Sequence, residues 1–493
     1  MIAADTKKKM SRCGGKEVRL DLREWMKKVE ALGELKQIDG ANWDLEIGCV
    51  SELNFGRKYG PVLLFDHIKD YPKGYRVMTC SNITPATLGL TFNLPTHYND
   101  PELVKAFAKK LPEWESEEQK FPPQVIDTGP VMENVYSGDE VDLFRFPAPK
   151  WHELDGGRYL GTGHGVVTRD PETGVINVGT YRIMIHDKKT TGLHMSPGRH
   201  GRIQIEKYHA KGEPAPVAVS IGHNPLVFRI ASSSITSPEY NYMGAILGEP
   251  VKVIKEEVTG LPIPAESELV IAGWCPPNKT LREGPFGEFP GYYGGETRPH
   301  QRIIEVERVY HRNDPIILGN NHIRTRNDGS YFFEISRSAM LYNDLKKNGI
   351  PDVKGVWVAI GGTRFLIIIS VKQRYAGHAK QAAFIASQTL TGAYMNRYVI
   401  VVDEDIDPSN MEEVLWAMCT RSDPEKDIDI IRGGWSGPLD PVIRKPTKAF
   451  FNSRAIIDAC KPFDWIDEFP TAIEFNPELE ARVKEKWGKI LKL

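Results

Sequence analysis

The sequence predicts a mixed α/β protein in which a β-rich region is followed by a region of alternating strands and helices. Residues 158–312 contain short strand-like runs separated by turn residues, a spacing that is typical of a barrel or a sandwich. After residue 330, strand-like and helix-like runs alternate, which predicts βα units and a partly parallel sheet. The chain has 493 residues, more than one hydrophobic core usually serves, so two or three domains are expected.

The N-terminal elements are assigned from the spacing of apolar residues. Residues 20–32 are predicted to form a helix, because their apolar side chains recur at helical spacing and Gly33 ends the pattern. Residues 61–65 (PVLLF) indicate a buried strand, and residues 103–111 indicate a short amphipathic helix. Residues 112–150 are rich in Pro, Glu and Asp and are interpreted as a connecting segment.

The later elements follow the same two periodicities. In the β-rich region we predict one helix, at residues 239–247, and strands at residues 165–168, 217–221, 251–254, 269–272 and 303–309. A helix at residues 331–345 is placed where it could link two domains. After it we predict strands at residues 356–360, 365–371 and 398–402, and helices at residues 377–390, 411–420 and 477–493.

The bulk composition excludes several classes of function. The formal net charge is −2 and hydrophobic residues make up 41% of the chain, so neither nucleic acid nor a membrane is indicated as a partner. The longest apolar runs, such as residues 365–371, are too short to span a bilayer. Residues 1–17 lack the apolar segment of a secretory signal and are interpreted as a mobile tail. None of the 6 cysteines lies in a CxxC pair, which favours a reduced, cytoplasmic setting.

One loop carries the strongest signal for acid–base chemistry. In residues 282–295 (REGPFGEFPGYYGG), glycine and proline separate Glu283 from Glu288, so the two acids are expected on a loop and not on a helix face. The neighbouring aromatic residues indicate partly apolar surroundings, in which burial raises the pKa of a carboxyl group. Such a group can exchange protons near neutral pH. The alternative is a surface turn whose two acids are hydrated.

Polar residues upstream indicate how an anion and a cation could be bound. Alternation places Asn177 at the start of a strand and Arg182 within it, and the planar donors of arginine suit a carboxylate or a flavin carbonyl edge. His200 ends a turn and Glu239 opens a helix. With Asn177 they offer mixed oxygen and nitrogen donors, which suit Mg²⁺ or Mn²⁺. The alternatives are an exposed strand arginine, a satisfied histidine and an acid that only caps its helix.

Lys380 lies at the start of the helix that residues 375–380 (YAGHAK) are predicted to open. The free backbone amides of a helix start can face a phosphate group, which a lysine would assist. The alternative is an ordinary solvated lysine. The chain contains no P-loop, HExxH or GxSxG motif, so the commonest nucleotide-binding and hydrolase signatures are absent from the sequence.

Taken in order, five segments resemble the UbiD family of reversible decarboxylases, which use prenylated FMN: residues 177–182, Arg199 with His200, residues 239–244 (EYNYMG), residues 283–293 and residues 372–380 (KQRYAGHAK). The likeness runs from about residue 18 to residue 470. It implies an active-site trio of Arg182, Glu283 and Glu288. It also implies a cation site that anchors the cofactor phosphate, with Mn²⁺ or Mg²⁺ and K⁺ as the cations and Asn177, His200 and Glu239 as the ligands. Lys380 matches a basic residue near that phosphate, and the cofactor-contacting Arg199 stands where some relatives have Gln.

The resemblance implies a fold and an assembly as well. A split β-barrel flavin-binding domain is expected, joined by a linker helix to a C-terminal α/β dimerisation domain. The expected boundaries are residues 18–115 for an N-terminal α/β part, 116–329 for the split barrel, 330–347 for the linker helix, 348–470 for the dimerisation domain and 471–493 for a tail helix. A homodimer or a homohexamer is implied, and a flavin prenyltransferase is implied as the supplier of the cofactor.

The implied activity is the reversible, non-oxidative decarboxylation of an aromatic or heteroaromatic carboxylic acid through a covalent adduct with prenylated FMN. Glu288 would protonate the ring carbon, while Arg182 would steer the substrate carboxylate and pair with Glu283. His322 and Arg324 (NNHIRTR) follow the β-rich region and are candidates for substrate contact; a satisfied loop histidine is the alternative. Carboxylation, an aryl-CoA substrate, an ordinary FMN oxidoreductase, a metal-dependent hydrolase and a non-catalytic subunit remain as alternatives.

Overall fold

The computed structural model describes residues 20–57, 59–233, 235, 237–294, 298–324, 327–359, 364–444, 449–473 and 475–491. The tail predicted for residues 1–17 lies outside these residues. The described chain is a mixed α/β protein, which confirms the predicted class. None of its described helices combines the length and the apolarity that crossing a bilayer requires.

The N-terminal part is a small sheet covered by a helix. Helix α1 (Leu22–Ala31) starts at Asp21, whose carboxylate accepts the backbone N–H groups of Arg23 and Glu24, so a side-chain cap fixes its start. The sheet has the order β1-β2-β3-β17, with β1 at Leu35–Asp39, β2 at Val62–Asp66, β3 at Arg76–Thr79 and β17 at Ile316–Leu318. Since β17 comes from the far end of the β-rich region, the N-terminal part is joined to that region by backbone hydrogen bonds.

The segment predicted as a connection is more structured than expected. Helix α2 spans Glu46–Phe55 and α3 spans Pro85–Thr91. Helix α4 spans Asp100–Glu117, so it starts before residue 103, at a capping box of Asn99 and Glu102, and continues through Pro112. Two short strands follow, β4 (Gln124–Val125) and β5 (Asn134–Ser137). The prediction of an unstructured connection at residues 112–150 is therefore wrong at both ends.

An eight-stranded antiparallel sheet forms the centre of the molecule. Its order is β10-β16-β14-β11-β7-β8, and β15 and β5 also pair with the long strand β16. The remaining short strands are β6 with β9, and β13-β12-β4. The bounds are β6 Tyr159–Gly161, β7 His164–Arg169, β8 Ile176–Gly179, β9 Ile183–Met184, β10 Thr190–Leu193, β11 Ala215–Ile221, β12 Lys252–Lys255, β13 Pro262–Pro264, β14 Leu269–Cys275, β15 Thr280–Glu283 and β16 Arg298–His311. All five strands predicted in this region are present, four of them within the central sheet.

Both faces of the central sheet are buried, which explains why its strands are apolar throughout. Along β11, Val217 and Val219 belong to one hydrophobic core, whereas Ala218 belongs to another. Alternate side chains of a strand point to opposite faces, so each core receives every second residue. Helices α5 (His200–Ala210), α6 (Pro225–Ser232) and α7 (Glu239–Leu247) pack on this sheet, and α7 has the predicted bounds.

The C-terminal part starts with helix α8 (Asp328–Lys347), whose start is fixed by a capping box of Asn327 and Ser330. The sheet behind it has the order β18-β19-β20-β22-β21 and is parallel only at β19-β20 and β20-β22, as predicted for a partly parallel sheet. The bounds are β18 Val353–Val358, β19 Leu366–Val371, β20 Tyr398–Asp403, β21 Ile428–Trp435 and β22 Phe451–Ala459. The prediction missed the last two strands.

Four segments complete the helices of the C-terminal part. The single helix predicted at residues 377–390 is two helices, because the first ends at Ser387 and Thr389 caps a new start. The bounds are α9 His378–Ala386, α10 Leu390–Ala393, α11 Met411–Arg421, α12 Pro424–Asp427 and α13 Pro477–Leu491. The predicted helices at residues 411–420 and 477–493 correspond to α11 and to α13.

A buried ion pair joins three parts of the chain. Arg229 of α6 donates to Asp328, the first residue of α8, at 2.5 Å, and both side chains are almost fully buried. Asp328 also accepts the backbone N–H groups of Ser81 and Asn82, each at 2.7 Å. The start of α8 is thereby held against the loop after β3 and against α6.

Replacing Arg229 by Met is expected to lower the free energy of unfolding by about 3–5 kcal/mol, because the charge of Asp328 would stay buried without its partner. Urea unfolding of the full chain measures the change. The matched control is Arg374→Met, since Arg374 pairs with Asp352 at the surface and 49% of its side chain is exposed. That substitution should change the stability by at most about 1 kcal/mol. Equal effects of the two substitutions would contradict the assigned role of the buried pair.

Candidate active site

The loop that carries Glu283 and Glu288 is a tight return of the chain at the edge of the central sheet. Glu283 is the last residue of β15, which pairs with β16. The loop then closes on itself: Glu288 N–H donates to the carbonyl of Tyr292 at 2.9 Å, and Gly294 N–H donates to that of Phe286 at 3.1 Å. These backbone hydrogen bonds confirm the predicted loop and fix where the two acids lie.

Arg182 holds both acids. Its Nε and Nη2 donate to the two carboxylate oxygens of Glu283 at 2.7 and 2.9 Å, and its Nη1 donates to Oε1 of Glu288 at 2.7 Å. The exposed side-chain fractions are 11% for Arg182, 0% for Glu283 and 13% for Glu288. The alternatives of an exposed arginine and of two hydrated acids are therefore wrong. Arg182 lies between β8 and β9, not within a strand as predicted.

The charges of this trio shift one another's proton affinity. Burial alone would raise the pKa of Glu283, but its hydrogen bonds to Arg182 and the charge of Arg182 outweigh burial, so the pKa is lowered. The raised pKa expected for a loop carboxyl group is wrong for Glu283. Burial would likewise lower the pKa of Arg182, yet the charges of Glu288 and Glu283 raise it. Glu283 is thus held as a carboxylate that fixes the arginine.

Aromatic side chains and a glycine shape the walls around the trio. The hydroxyl of Tyr159 donates to Glu283 at 3.3 Å, and the ring of Phe286 lies 4.8 Å from the guanidinium carbon of Arg182. A Cβ atom at Gly294 would come within 2.6 Å of Cγ of Glu288, so only glycine allows this approach. The turn chemistry of the loop is therefore coupled to the position of Glu288.

Two residues near the trio were missed by the sequence analysis. His194, directly after β10, donates its backbone N–H to the carbonyl of Arg182 at 3.2 Å, and its ring contacts the guanidinium of Arg298 on β16. Burial, together with the positive charges of Arg182 and Arg298, lowers the pKa of His194 to about 4, so this imidazole is neutral. No local pattern marks either residue, because their proximity arises from strand pairing.

His322 lies beside the acids, whereas Arg324 presents mainly its backbone. Burial lowers the pKa of His322 to about 4; the charge of Glu288 acts in the opposite direction. Its Nδ1 atom is buried and has no hydrogen-bond partner among the described residues, so His322 is not the fully satisfied loop histidine of the alternative. A Cβ atom at Gly291 would lie 2.8 Å from Cα of Arg324, whose side chain is exposed.

Asn177 and Glu239 lie together at the end of the central sheet. Asn177 is buried in β8, and the carboxylate of Glu239, the first residue of α7, accepts the N–H of the next strand residue, Val178, at 3.1 Å. Burial raises the pKa of Glu239 to about 7, since no positive side chain balances its charge. A bound cation would supply that balance, and the oxygen donors suit Mg²⁺ or Mn²⁺.

His200, Arg199 and Lys380 are placed differently from one another. His200 opens α5 with an exposed side chain, and the N–H of Gly201 donates to the hydroxyl of Tyr181 at 3.2 Å. That hydroxyl also lies 3.5 Å from the side-chain nitrogen of Asn177, so the start of α5 adjoins the proposed cation ligands. Arg199 is the exposed residue before His200.

Lys380 binds within the C-terminal part. Its ammonium group donates to the carbonyl of Lys426 at 3.0 Å and pairs with Asp429 at 3.1 Å. Across the part of the chain that the structure describes, no side-chain contact joins Lys380 to Asn177, His200 or Glu239. The expected contact with a cofactor phosphate therefore stays a prediction.

Three sequence families match consecutive parts of the chain. Residues 26–107 match the 3-octaprenyl-4-hydroxybenzoate carboxy-lyase N-terminal domain, and residues 124–323 match the Rift-related domain of the same carboxy-lyase. Residues 330–459 match its C-terminal domain.

Curated relatives cover nearly the whole chain. A phenolic acid decarboxylase of Sedimentibacter hydroxybenzoicus is 34% identical over 462 residues, which cover 90% of this chain and 92% of the relative. A pyrrole-2-carboxylic acid decarboxylase of Pseudomonas aeruginosa is 28% identical over 492 residues, which cover 95% and 98%.

Solved structures share the fold. The vanillic acid decarboxylase of Sedimentibacter hydroxybenzoicus in its open form superposes with a TM-score of 0.84 at 32% identity and covers 96% of this chain and 99% of that chain. An evolved dimeric form of the UbiD-class enzyme HmfF from Pelotomaculum thermopropionicum, in complex with prFMN, superposes with a TM-score of 0.78 at 26% identity and covers 93% and 98%.

Proposed function

Because the chain belongs to the 3-octaprenyl-4-hydroxybenzoate carboxy-lyase (UbiD) family and is a decarboxylase of that family, we propose that it catalyses the reversible decarboxylation of an aromatic or heteroaromatic acid with prenylated FMN. The observation that carries the proposal is the buried contact of Arg182 with both Glu283 and Glu288. A trio of this kind can bind a carboxylate and deliver a proton to the carbon that carboxylate leaves.

Arg182 is assigned to binding the substrate carboxylate. A guanidinium group has five N–H donors, and the described contacts use three of them, on Nε, Nη1 and Nη2. The two remaining N–H groups, on Nη1 and Nη2, form a fork that matches a carboxylate. Glu283 holds the arginine by two hydrogen bonds and keeps its orientation.

Glu288 is assigned to proton transfer. It contacts Arg182 through a single hydrogen bond and lies on a loop, so it can exchange that contact for one with the substrate more readily than Glu283 can. As the carboxyl group leaves as carbon dioxide, the carbon–carbon bond breaks and its electron pair stays with the ring carbon. Glu288 then donates the proton that completes the product.

The residues around Glu239 fit a cation that anchors a cofactor phosphate. Glu239 is a buried carboxylate without a positive side-chain partner among the described residues, and Asn177 and His200 would complete a donor set for Mn²⁺ or Mg²⁺. Prenylated FMN, when bound, supplies an electron sink for the carbon that loses carbon dioxide. The proposal includes K⁺ as a further cation, Arg199 and Lys380 as cofactor contacts, and a flavin prenyltransferase as the supplier.

His322 is assigned to the far side of the substrate ring. It is a neutral imidazole close to Glu288, and its unpartnered Nδ1 atom can bond a ring hydroxyl group or heteroatom. Substrate contact by the side chain of Arg324 stays a prediction, as does assembly into a homodimer or a homohexamer.

An absorbance spectrum and a deuterium-exchange assay test the proposed function. The purified, flavin-loaded protein should release carbon dioxide from aromatic acids and should exchange ring hydrogen for deuterium in heavy water. Oxidation of NAD(P)H would favour an ordinary FMN oxidoreductase. Hydrolytic activity of colourless protein would favour the metal-dependent hydrolase, and a flavin-free, inactive chain would favour the non-catalytic subunit. Each of these results would overturn the proposal.

Glu239→Ala is expected to purify with little flavin and little divalent metal, because the buried oxygen donor of the cation site would be lost. Flavin absorbance and elemental analysis measure both contents. Glu213→Ala is the control, since Glu213 is exposed and lies far along the chain, after α5. Wild-type flavin content in Glu239→Ala would exclude Glu239 as a cation ligand.

A further inference from the structure

A group of arginines lies beside the loop of the two acids. Arg337 of α8 and Arg364, two residues before β19, both lie over the ring of Phe333, with their guanidinium carbons 5.2 and 5.5 Å from its centroid. Arg364 also lies 5.0 Å from the ring centroid of Phe289. Since Phe289 directly follows Glu288, this group is adjacent to the assigned proton donor.

A third arginine belongs to the same group. The positive charge of Arg199 lowers the proton affinity of both Arg337 and Arg364, so its side chain lies within electrostatic reach of them. Tyr394, whose ring centroid is 5.8 Å from the guanidinium carbon of Arg364, borders the group on the C-terminal side. We refer to Arg199, Arg337 and Arg364 as the arginine cluster.

The positive charge of the arginine cluster is not balanced by acidic side chains. Within the described ranges, none of the three forms an ion pair, and the Nε atom of Arg337 is buried without a hydrogen-bond partner. Burial lowers the pKa of Arg364 to about 10 and that of Arg337 well below its usual value, and the neighbouring positive charges add to this effect. The cluster is therefore arranged to receive an anion.

The aromatic rings account for only part of this arrangement. Ring faces attract guanidinium groups, but they leave the N–H donors without the strong acceptors that arginine prefers. The rings of Phe289, Phe333 and Tyr394 offer flat apolar surfaces beside those donors. A flat ring that carries an oxyanion would satisfy the rings and the donors together.

We propose that the arginine cluster binds a second anionic group of the substrate and that the substrate is an aromatic dicarboxylate. The inference rests on the proposed function, in which Arg182 takes the carboxylate that is lost and Glu288 supplies the proton. The carbon–carbon bond to that first carboxylate breaks and its electron pair takes up the proton, whereas the second carboxylate stays intact on the arginine cluster.

The cofactor phosphate is the other source of an oxyanion near Arg199, because the next residue is the proposed cation ligand His200. The contact of Arg364 with Phe289 favours the substrate, since it places the cluster against the loop of the reacting acids and not against Asn177 or Glu239. The experiment therefore measures flavin affinity beside substrate affinity.

The probes are benzene-1,3- and benzene-1,4-dicarboxylate, with benzoate and 4-hydroxybenzoate as monoacid references. Titration calorimetry on full-length, flavin-loaded protein should show tighter binding of at least one diacid than of either monoacid. In Arg364→Gln and Arg337→Gln the affinity for that diacid should fall roughly 10- to 100-fold, the range for a charge-assisted hydrogen bond, while benzoate affinity stays within about threefold. Arg374→Gln, which removes an exposed arginine of the same C-terminal part, should change neither affinity.

Three results would overturn the inference. The first is equal affinity of the wild-type protein for diacids and monoacids, which needs no variant to fold. The second is an equal loss for diacids and benzoate in Arg364→Gln. The third is a loss of FMN affinity in Arg364→Gln, measured by fluorescence quenching on flavin-free protein, without a selective loss for the diacid. Ring deuteration of a monoacid would meanwhile uphold the proposed function, so the two failures are distinguishable.

Discussion

Glu288→Gln is expected to lower the rate of decarboxylation by roughly 10²- to 10⁴-fold, the usual contribution of a positioned general acid. The amide keeps the shape of the side chain and can still accept the hydrogen bond from Nη1 of Arg182. It cannot give up a proton to a ring carbon at neutral pH. Carbon dioxide release under substrate saturation measures the loss, and flavin absorbance should match that of the wild-type protein.

The ring-exchange reaction separates the proton-transfer role of Glu288 from a role in binding. Deuterium incorporation into the product ring should fall in parallel with carbon dioxide release, whereas the affinity for the substrate should change little. Glu153→Gln is the matched control, because Glu153 is an exposed acid one residue before Leu154, whose N–H accepts no role at the trio and bonds Tyr293. Wild-type turnover in Glu288→Gln would remove the proton-donor assignment.

Arg182→Met is expected to abolish carboxylate binding and to lower the free energy of unfolding by about 3–5 kcal/mol at pH 7, since Glu283 would be left buried without its partner. The side chain of Glu283 is 0% exposed, so water cannot replace the lost hydrogen bonds without a local rearrangement. Urea unfolding and substrate titration measure the two effects. Arg182→Lys keeps the charge but loses the two-pronged contact, and an intermediate effect is expected for it.

The stability difference between the wild-type protein and Arg182→Met should depend on pH. In the folded wild-type protein the pKa of Glu283 lies below its ordinary value of 4.5, so its pairing contributes stability above that pH and loses it as the pH falls through the folded pKa. In Arg182→Met only burial acts on Glu283, and its pKa should be raised. The stability difference should therefore be largest near neutral pH and shrink toward pH 4.5. A difference that grows on acidification would contradict the ionised state of Glu283.

Local patterns were sufficient for most secondary structure. The helix Glu239–Leu247 has its predicted bounds, and the strands Ala215–Ile221 and Leu269–Cys275 enclose their predicted ranges. These elements bury continuous apolar runs, which leave a clear pattern in the sequence. Strand β21 (Ile428–Trp435) was missed, because it is an edge strand with several exposed residues and an interior Gly-Gly pair.

The candidate site was predicted only in part. The loop character of residues 282–295 followed from its glycines and prolines, and the five resembling segments indicated which acids to examine. The lowered pKa of Glu283 could not be predicted, because it depends on an arginine 101 residues away in the chain. The same limit applies to His194 and Arg298, whose contact spans 104 residues.

The sequence by itself determined the mixed α/β class, the order of most elements and the family, because apolar spacing, turn residues and short motifs are local properties of a chain. Only the tertiary structure decided that Arg182 grips Glu283 with two hydrogen bonds and Glu288 with one, and that Arg337 and Arg364 meet beside Phe289. Electrostatic partners are set by where distant segments meet after burial, and the strength of their interaction depends on the water that burial removes.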